Sequence, residues 1–199
     1  SFFVLVMSFG VGVGLYSALL TCVQGLLGPC GYDEAEVGGF AAALNIAGIL
    51  GAVVAGVAMD KTHAYRELLR CGFVLSALSV AFLAWQVKAG NALWVGVSFG
   101  VMGMMIVPMI PVVVENALEC TYPVSEEVST GVLFTAGNLF GIPITLYLQD
   151  LLDGQQGCQG GMAPANLFLV LLAAFCALSS LFFRGEYKRM AAEGGSKEE

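Results

Sequence analysis

Few residues in this sequence are of a type that does chemistry, and their spacing limits what that chemistry is. Gly96-Val97-Ser98-Phe99-Gly100 fits the G-x-S-x-G pattern of a nucleophilic serine. Such a serine needs a strand, a sharp turn and a histidine within reach. Ser98 stands instead inside an apolar run, and the single histidine, His63, falls in a charged segment. If both regions are helical, the two are separated by roughly 20 Å along the helix direction, at about 1.5 Å per residue. Gly96, Ser98 and Gly100 therefore read as small residues that let helices pack, His63 reads as a solvated loop residue, and the chain is not read as an enzyme. The six cysteines include no C-x-x-C pair and are too scattered for a disulfide framework. No metal site and no cofactor is expected.

What remains are uncharged polar groups embedded in apolar runs: Gln24, Asn45 and Asn138, with Tyr16 as an aromatic in the middle of its run. Each of them can meet a solute or simply bond across helices, and Asn138 is the best ligand candidate. A proton-coupled carrier places Asp, Glu or His at mid-membrane. Here every acidic residue lies at the end of an apolar run or between runs, so passive carriage is favoured. A channel would need a charged ring or a carbonyl-lined filter, and the sequence has neither signal. Asn138 stands five residues before Pro143, and with Tyr16 and Gln24 it makes up the predicted solute-binding set.

The elements that must position these residues follow from composition. Of 199 residues, 58% are hydrophobic and 12% charged, against roughly 25% charged in globular proteins. A net charge of -7 argues against nucleic acid as a partner. A spanning helix needs about 20 apolar residues. Six runs qualify: Phe2 to Leu27, Val37 to Met59, Leu68 to Val87, Ala92 to Val114, Val128 to Gln149 and Ala163 to Phe183. They are apolar on every face rather than alternating, which disfavours a β-barrel. The expectation is an all-α membrane protein, with a six-helix bundle over 1–183 and a disordered cytoplasmic tail over 184–199.

Glycines at positions 10, 12 and 14 in the first run, Pro108 and Pro111 in the fourth and Pro143 in the fifth suggest bent or broken helices. Pro164 suits the first turn of the last helix. Of the eight Lys and Arg, only Lys88 falls on the side opposite to the rest. Basic residues crowd cytoplasmic loops, so both ends of the segment are expected in the cytoplasm. Trp85 and Trp94 flank the Lys88 turn as interface anchors. Cys30 and Cys158 share the outer side and could pair, but sequence does not give their distance.

Two inner stretches are more specific. In Gly56-x-x-x-Asp60-Lys61, the i, i+4 spacing puts Gly56 and Asp60 on one face, so that a neighbouring helix can approach while the carboxylate meets partners at the interface. In Pro111-x-x-x-Glu115-x-x-x-Glu119-x-Thr121-Tyr122-Pro123-x-x-Glu126-Glu127, Glu115 and Glu119 share a face near a helix C-terminus, where the helix dipole is already negative. They need a counter-charge. Lys61, Arg66 or Arg70 could supply it and form an inner gate; the alternative is a pair of solvated carboxylates.

At these stretches the sequence resembles the C-terminal half of a major facilitator superfamily transporter, with His63 standing where the superfamily motif has its second glycine. It is most similar to the feline leukaemia virus subgroup C receptor-related family, on Ile46-Ala47-Gly48-Ile49-Leu50-Gly51-Ala52-Val53, Asp60 to Glu67, and Glu115 to Glu126 with its Glu-x-Thr-Tyr-Pro core. The resemblance implies that the six spans are helices seven to twelve of a twelve-helix carrier in the lipid bilayer, with an N-terminal six-helix half as partner. It also implies solutes of the choline and ethanolamine kind, or haem. Tyr16 looks like the family's substrate-facing aromatic, and Asn138 falls where choline-carrying members have glutamine. Gly56, Asp60, Lys61, Arg66, Glu115, Glu119, Tyr122 and Pro123 are then gating positions. A haem or other metabolite carrier, or a non-transporting receptor or scaffold, stays open. Haem would find no histidine in any span, only methionines such as Met102, Met104 and Met105.

Overall fold

The computed structural model describes residues 2–62, 65–154, 157–158 and 163–183. His63 and the tail from Arg184 lie outside them, so the expectations placed there are not addressed. The apolar runs form helices α1 (Phe2–Leu27), α2 (Glu34–Thr62), α3 (Tyr65–Gln86), α4 (Ala92–Ile106), α5 (Met109–Thr121), α6 (Glu126–Asp153) and α7 (Pro164–Leu181), with a short 3-10 turn at Gly28–Cys30. α4 and α5 together make one span, so six membrane-capable segments result. In hydrocarbon a helix satisfies its own backbone, which is why uniformly apolar runs adopt it.

Lipid tails are as apolar as leucine, so close backbone approach and dispersion contacts must bring the helices together. α1 packs chiefly on α6, α2 on α4, and α3 on α7. The three glycines of the first span do not break it. α1 is continuous, and Gly10 and Gly14 admit α6: a Cβ on Gly10 would stand 2.7 Å from Phe140, and one on Gly14 would stand 3.0 Å from the Gly141 nitrogen. α6 answers with Gly137, where a Cβ would come 3.0 Å from Val13. On the α2–α4 seam a Cβ on Gly51 would lie 2.5 Å from the Met104 carbonyl oxygen, and Gly103 faces the Leu44 carbonyl with no room for a Cβ. Gly96 receives Phe40, so the stretch around Ser98 packs against α2, and Ser98 donates to its own helix at the Trp94 carbonyl, 2.7 Å away.

Of the spans expected to be bent or broken at proline, the fourth is broken, at Val107 and Pro108, whereas α6 runs unbroken through Pro143. Beside the interruption, Ser76 of α3 donates to the Met105 carbonyl at 2.9 Å. Pro164 opens α7, as its sequence position predicts.

The two ends of the bundle are tied differently. At one end, the Cys30–Cys158 disulfide joins the α1–α2 and α6–α7 connections. Tyr32 donates to the Lys88 carbonyl at 2.6 Å and accepts from the Asn91 N–H at 3.0 Å, holding the α3–α4 turn to the α1–α2 corner. Trp85 and Trp94 are exposed beside this turn, with the Lys88 ammonium 5.5 Å from the Trp85 ring. At the opposite end, Arg70 donates to the Leu181 and Phe183 carbonyls at 3.2 and 2.9 Å, capping α7 from α3.

The glycine seams give a direct test. Gly103→Ala should destabilise the full-length protein by about 1–3 kcal/mol, the usual range for overpacking, because the Leu44 backbone cannot move aside alone. Gly100→Ala should be near neutral, since a Cβ there meets only the Ala47 Cβ, at 4.0 Å. Thermal unfolding in detergent compares the two, and equal melting temperatures would contradict the packing account.

Candidate solute site and gating residues

Tyr16 sits at the middle of α1, and its hydroxyl donates to Asn45 Oδ1 of α2 at 3.1 Å. The amide is itself fixed, because Asn45 Nδ2 donates to the Ala41 carbonyl at 2.8 Å. The Tyr16 ring lines a half-enclosed cavity of about 240 Å³, together with Phe9, Phe73 and Phe134. A second, open groove of about 300 Å³ lies between α1 and α6 and is lined by Ser17, Asn138 and Thr145. Ser17 belongs to both recesses. Neither lining contains an Asp, Glu, Lys or Arg among the described residues.

Tyr16 and Asn138 therefore occupy adjacent recesses that meet at Ser17, not a single pocket. Asn138 is exposed and donates Nδ2 to the Phe134 carbonyl at 2.9 Å, so its amide oxygen points away from its own helix ladder. Gln24 lies outside both recesses, about 12 Å further along α1 at the helical rise. Ser17 and Thr145 were not singled out by sequence. Hydroxyl residues are common in apolar helices, and only the helix rotation shows which face they occupy.

The inner stretches are arranged as follows. Gly56, Asp60 and Lys61 lie on the outward-facing side of α2; the glycine looks onto open space, so no helix of this bundle fills the approach it offers. Glu67 pairs with Arg66 at 3.6 Å and with Arg70 at 3.9 Å. Arg70 is drawn to the end of α7 instead of serving as a counter-charge for Glu115 or Glu119. Glu115 is half-buried and Glu119 buried, which departs from a simple pair of solvated carboxylates. Thr121 and Ser129 share a hydroxyl hydrogen bond of 2.8 Å across the α5–α6 turn, leaving Tyr122 and Pro123 exposed.

No protein-family model matches the sequence. The structure is similar to that of the proton:xylose symporter XylE, a major facilitator superfamily protein, with a TM-score of 0.72 at 12% identity over 98% of this chain and 47% of that one. The fold is thus that of one six-helix half of a major facilitator superfamily transporter. Solute carrier family 49 member A3 of Xenopus tropicalis is 30% identical over 217 residues, covering 100% of this chain and 45% of the relative. The choline/ethanolamine transporter FLVCR2 of Homo sapiens is 27% identical over 193 residues, covering 96% and 36%. The choline/ethanolamine transporter FLVCR1 of Felis catus is 30% identical over 146 residues, covering 73% and 26%. The chain spans less than half the length of these curated relatives. It corresponds to the C-terminal half of a transporter of the feline leukaemia virus subgroup C receptor type and is a multi-pass integral membrane protein.

The Tyr16–Asn45 bond is one of few ties between α1 and α2. A double-mutant cycle with Tyr16→Phe and Asn45→Ala should give a coupling of about 0.6 kcal/mol, and below about 1.7 kcal/mol, as for other interhelical hydrogen bonds in membranes. Zero coupling in the unfolding free energies would contradict the bond.

Proposed function

We propose that the whole protein carries a small organic cation of the choline class across the membrane by alternating access, with no chemical conversion of the solute. One observation carries this reading: the Tyr16 ring stands on a wall that holds no Asp, Glu, Lys or Arg among the described residues, with its hydroxyl already committed to Asn45. A quaternary ammonium has no N–H to donate, so a ring face suits it better than a carboxylate would, and a desolvated cation–aromatic contact contributes about 2 kcal/mol. Relatives named choline/ethanolamine transporters support the same class. Asn138 and Ser17, on the adjoining groove, are the groups proposed to meet the solute's hydroxyl, and Gln24 lies on the outer approach to them.

In this reading an N-terminal six-helix half closes the solute site from the other side, since alternating access rocks two halves about a midplane site. The unfilled approach at Gly56, with Asp60, Lys61, Arg66, Glu115, Glu119, Tyr122 and Pro123 at the same end, forms the inner gate when that half docks. The gate end is cytoplasmic. Lys61, Arg66 and Arg70 gather there, as basic residues do in cytoplasmic loops, and the Cys30–Cys158 disulfide lies at the opposite end, where an oxidising compartment would maintain it.

Two experiments test these statements. In radiolabelled choline uptake by the full-length protein, Tyr16→Ala should lower uptake at least tenfold, about 1.4 kcal/mol, while Tyr16→Phe keeps most of it; uptake unchanged by Tyr16→Ala would defeat the assignment. For orientation, in a Cys71→Ser background, Ala89→Cys should react with an impermeant thiol reagent on intact cells and Lys61→Cys only after permeabilisation. The reverse pattern would overturn the orientation.

A further inference from the structure

Asn45 is the only polar side chain between Phe40 and Met59, and it stands on α2, which packs chiefly on α4 rather than on α1. Across the loosely packed α1–α2 gap its Oδ1 accepts from the Tyr16 hydroxyl at 3.1 Å. The other end of the amide decides which atom faces Tyr16. Nδ2 donates to the Ala41 carbonyl at 2.8 Å, and a flipped amide would set Oδ1 against that carbonyl, two acceptors with no proton between them. Asn45 is therefore an acceptor toward Tyr16, and it takes the one proton that the phenolic hydroxyl can give.

Other donors near Tyr16 are committed as well. Ser76 donates to the Met105 carbonyl at 2.9 Å, the Cys176 thiol to the Ser8 carbonyl at 3.4 Å, Thr145 to the Gly141 carbonyl at 2.8 Å, and one N–H of Asn138 to the Phe134 carbonyl at 2.9 Å. The Ser17 hydroxyl and the second N–H of Asn138 remain, and neither recess is lined by Lys or Arg among the described residues. Two neutral donors can serve a solute hydroxyl. A carboxylate brings about four lone-pair sites and a full charge, and its desolvation here would go uncompensated. A freed Tyr16 hydroxyl would change that, because an O–H donated to a carboxylate makes a strong, charge-assisted hydrogen bond. We propose that Asn45 is a positioning residue that sets specificity through Tyr16. By holding the phenolic proton it keeps this wall poor in donors, so that the site takes a quaternary ammonium alcohol and rejects a quaternary ammonium carboxylate with the same head group. This role presupposes that the Tyr16 ring meets the cation.

The test is uptake of radiolabelled choline by cells expressing the full-length protein, inhibited by unlabelled choline or by trimethylglycine, a zwitterion with the same trimethylammonium head. The ratio of the two half-inhibiting concentrations is read, and it does not depend on how much folded protein a variant yields. In the unsubstituted protein trimethylglycine should need roughly ten times the choline concentration or more. Asn45→Leu and Asn45→Ala should each lower that ratio by about threefold or more. In a Tyr16→Phe background there is no proton to release, so Asn45→Leu should leave the ratio as it is in Tyr16→Phe alone. A merely structural Asn45 would change the amount of uptake without the ratio, or shift the ratio in both backgrounds alike. An unaltered ratio in both Asn45 variants, the same fall in the Tyr16→Phe background, equal inhibition by the two solutes in the unsubstituted protein, or loss of choline uptake in both variants would overturn the role of Asn45. Failure of the Tyr16 assignment shows separately, as choline uptake insensitive to Tyr16→Ala.

Discussion

The constraint on which the rest of the structure depends is that lipid offers a backbone nothing to bond with. Every amide inside hydrocarbon must find its partner within the protein, and no hydrophobic gain remains to press one apolar helix against another. The first demand makes each apolar run a helix and turns the hydroxyls of Ser98, Thr145 and Ser180 back onto carbonyls of their own helices. The second explains where the glycines stand. On the α1–α6 seam Gly14 meets Gly141, Gly10 admits Phe140 and Gly137 admits Val13, and Gly48, Gly51 and Gly103 line the α2–α4 seam. Backbones at that separation gain dispersion contacts that larger side chains would forbid.

The same two demands fix what the bundle can do. Polar groups are costly here, so most of those described are paired, and the pairing decides which faces are free to meet a solute. Tyr16 gives its hydroxyl to Asn45 and keeps its ring face, while Asn138 keeps an amide oxygen beyond its helix ladder. The end of the bundle at the α3–α4 turn is held by a covalent bridge and the two hydrogen bonds of Tyr32. The opposite end is held by Arg70 on α7 and by the hydroxyl pair Thr121 and Ser129.

How much of this was legible in the sequence differs by element. The six spans were, because twenty apolar residues in a row have one physical solution in a bilayer. Their depth was also legible, which is why Tyr16 and Asn138 were placed at mid-span. Helix rotation was not: runs that are apolar all round carry almost no azimuthal signal, so the assignment of Tyr16 and Asn138 to separate recesses, and of Gln24 to neither, had to come from the fold. As a sequence the glycines of α1 suit bending or packing; the approach of Gly10 to Phe140 and of Gly14 to Gly141, far along the chain, favours packing. Pro108 with Pro111, and Pro143, each stand within an apolar run, and which run is interrupted shows only in the fold. Cys30 and Cys158 were on one side by topology, but their distance was a property of the folded chain.

The most direct measurement of the central claim, that this bundle is one wall of a solute site, is an electron cryo-microscopy map of the full-length protein in nanodiscs with choline added. The account predicts choline density against the face of the Tyr16 ring, near Asn138 and Ser17, with a second six-helix lobe closing over α1, α2 and α6. Density lodged elsewhere, or a Tyr16 face covered by protein with no space for a solute, would contradict it.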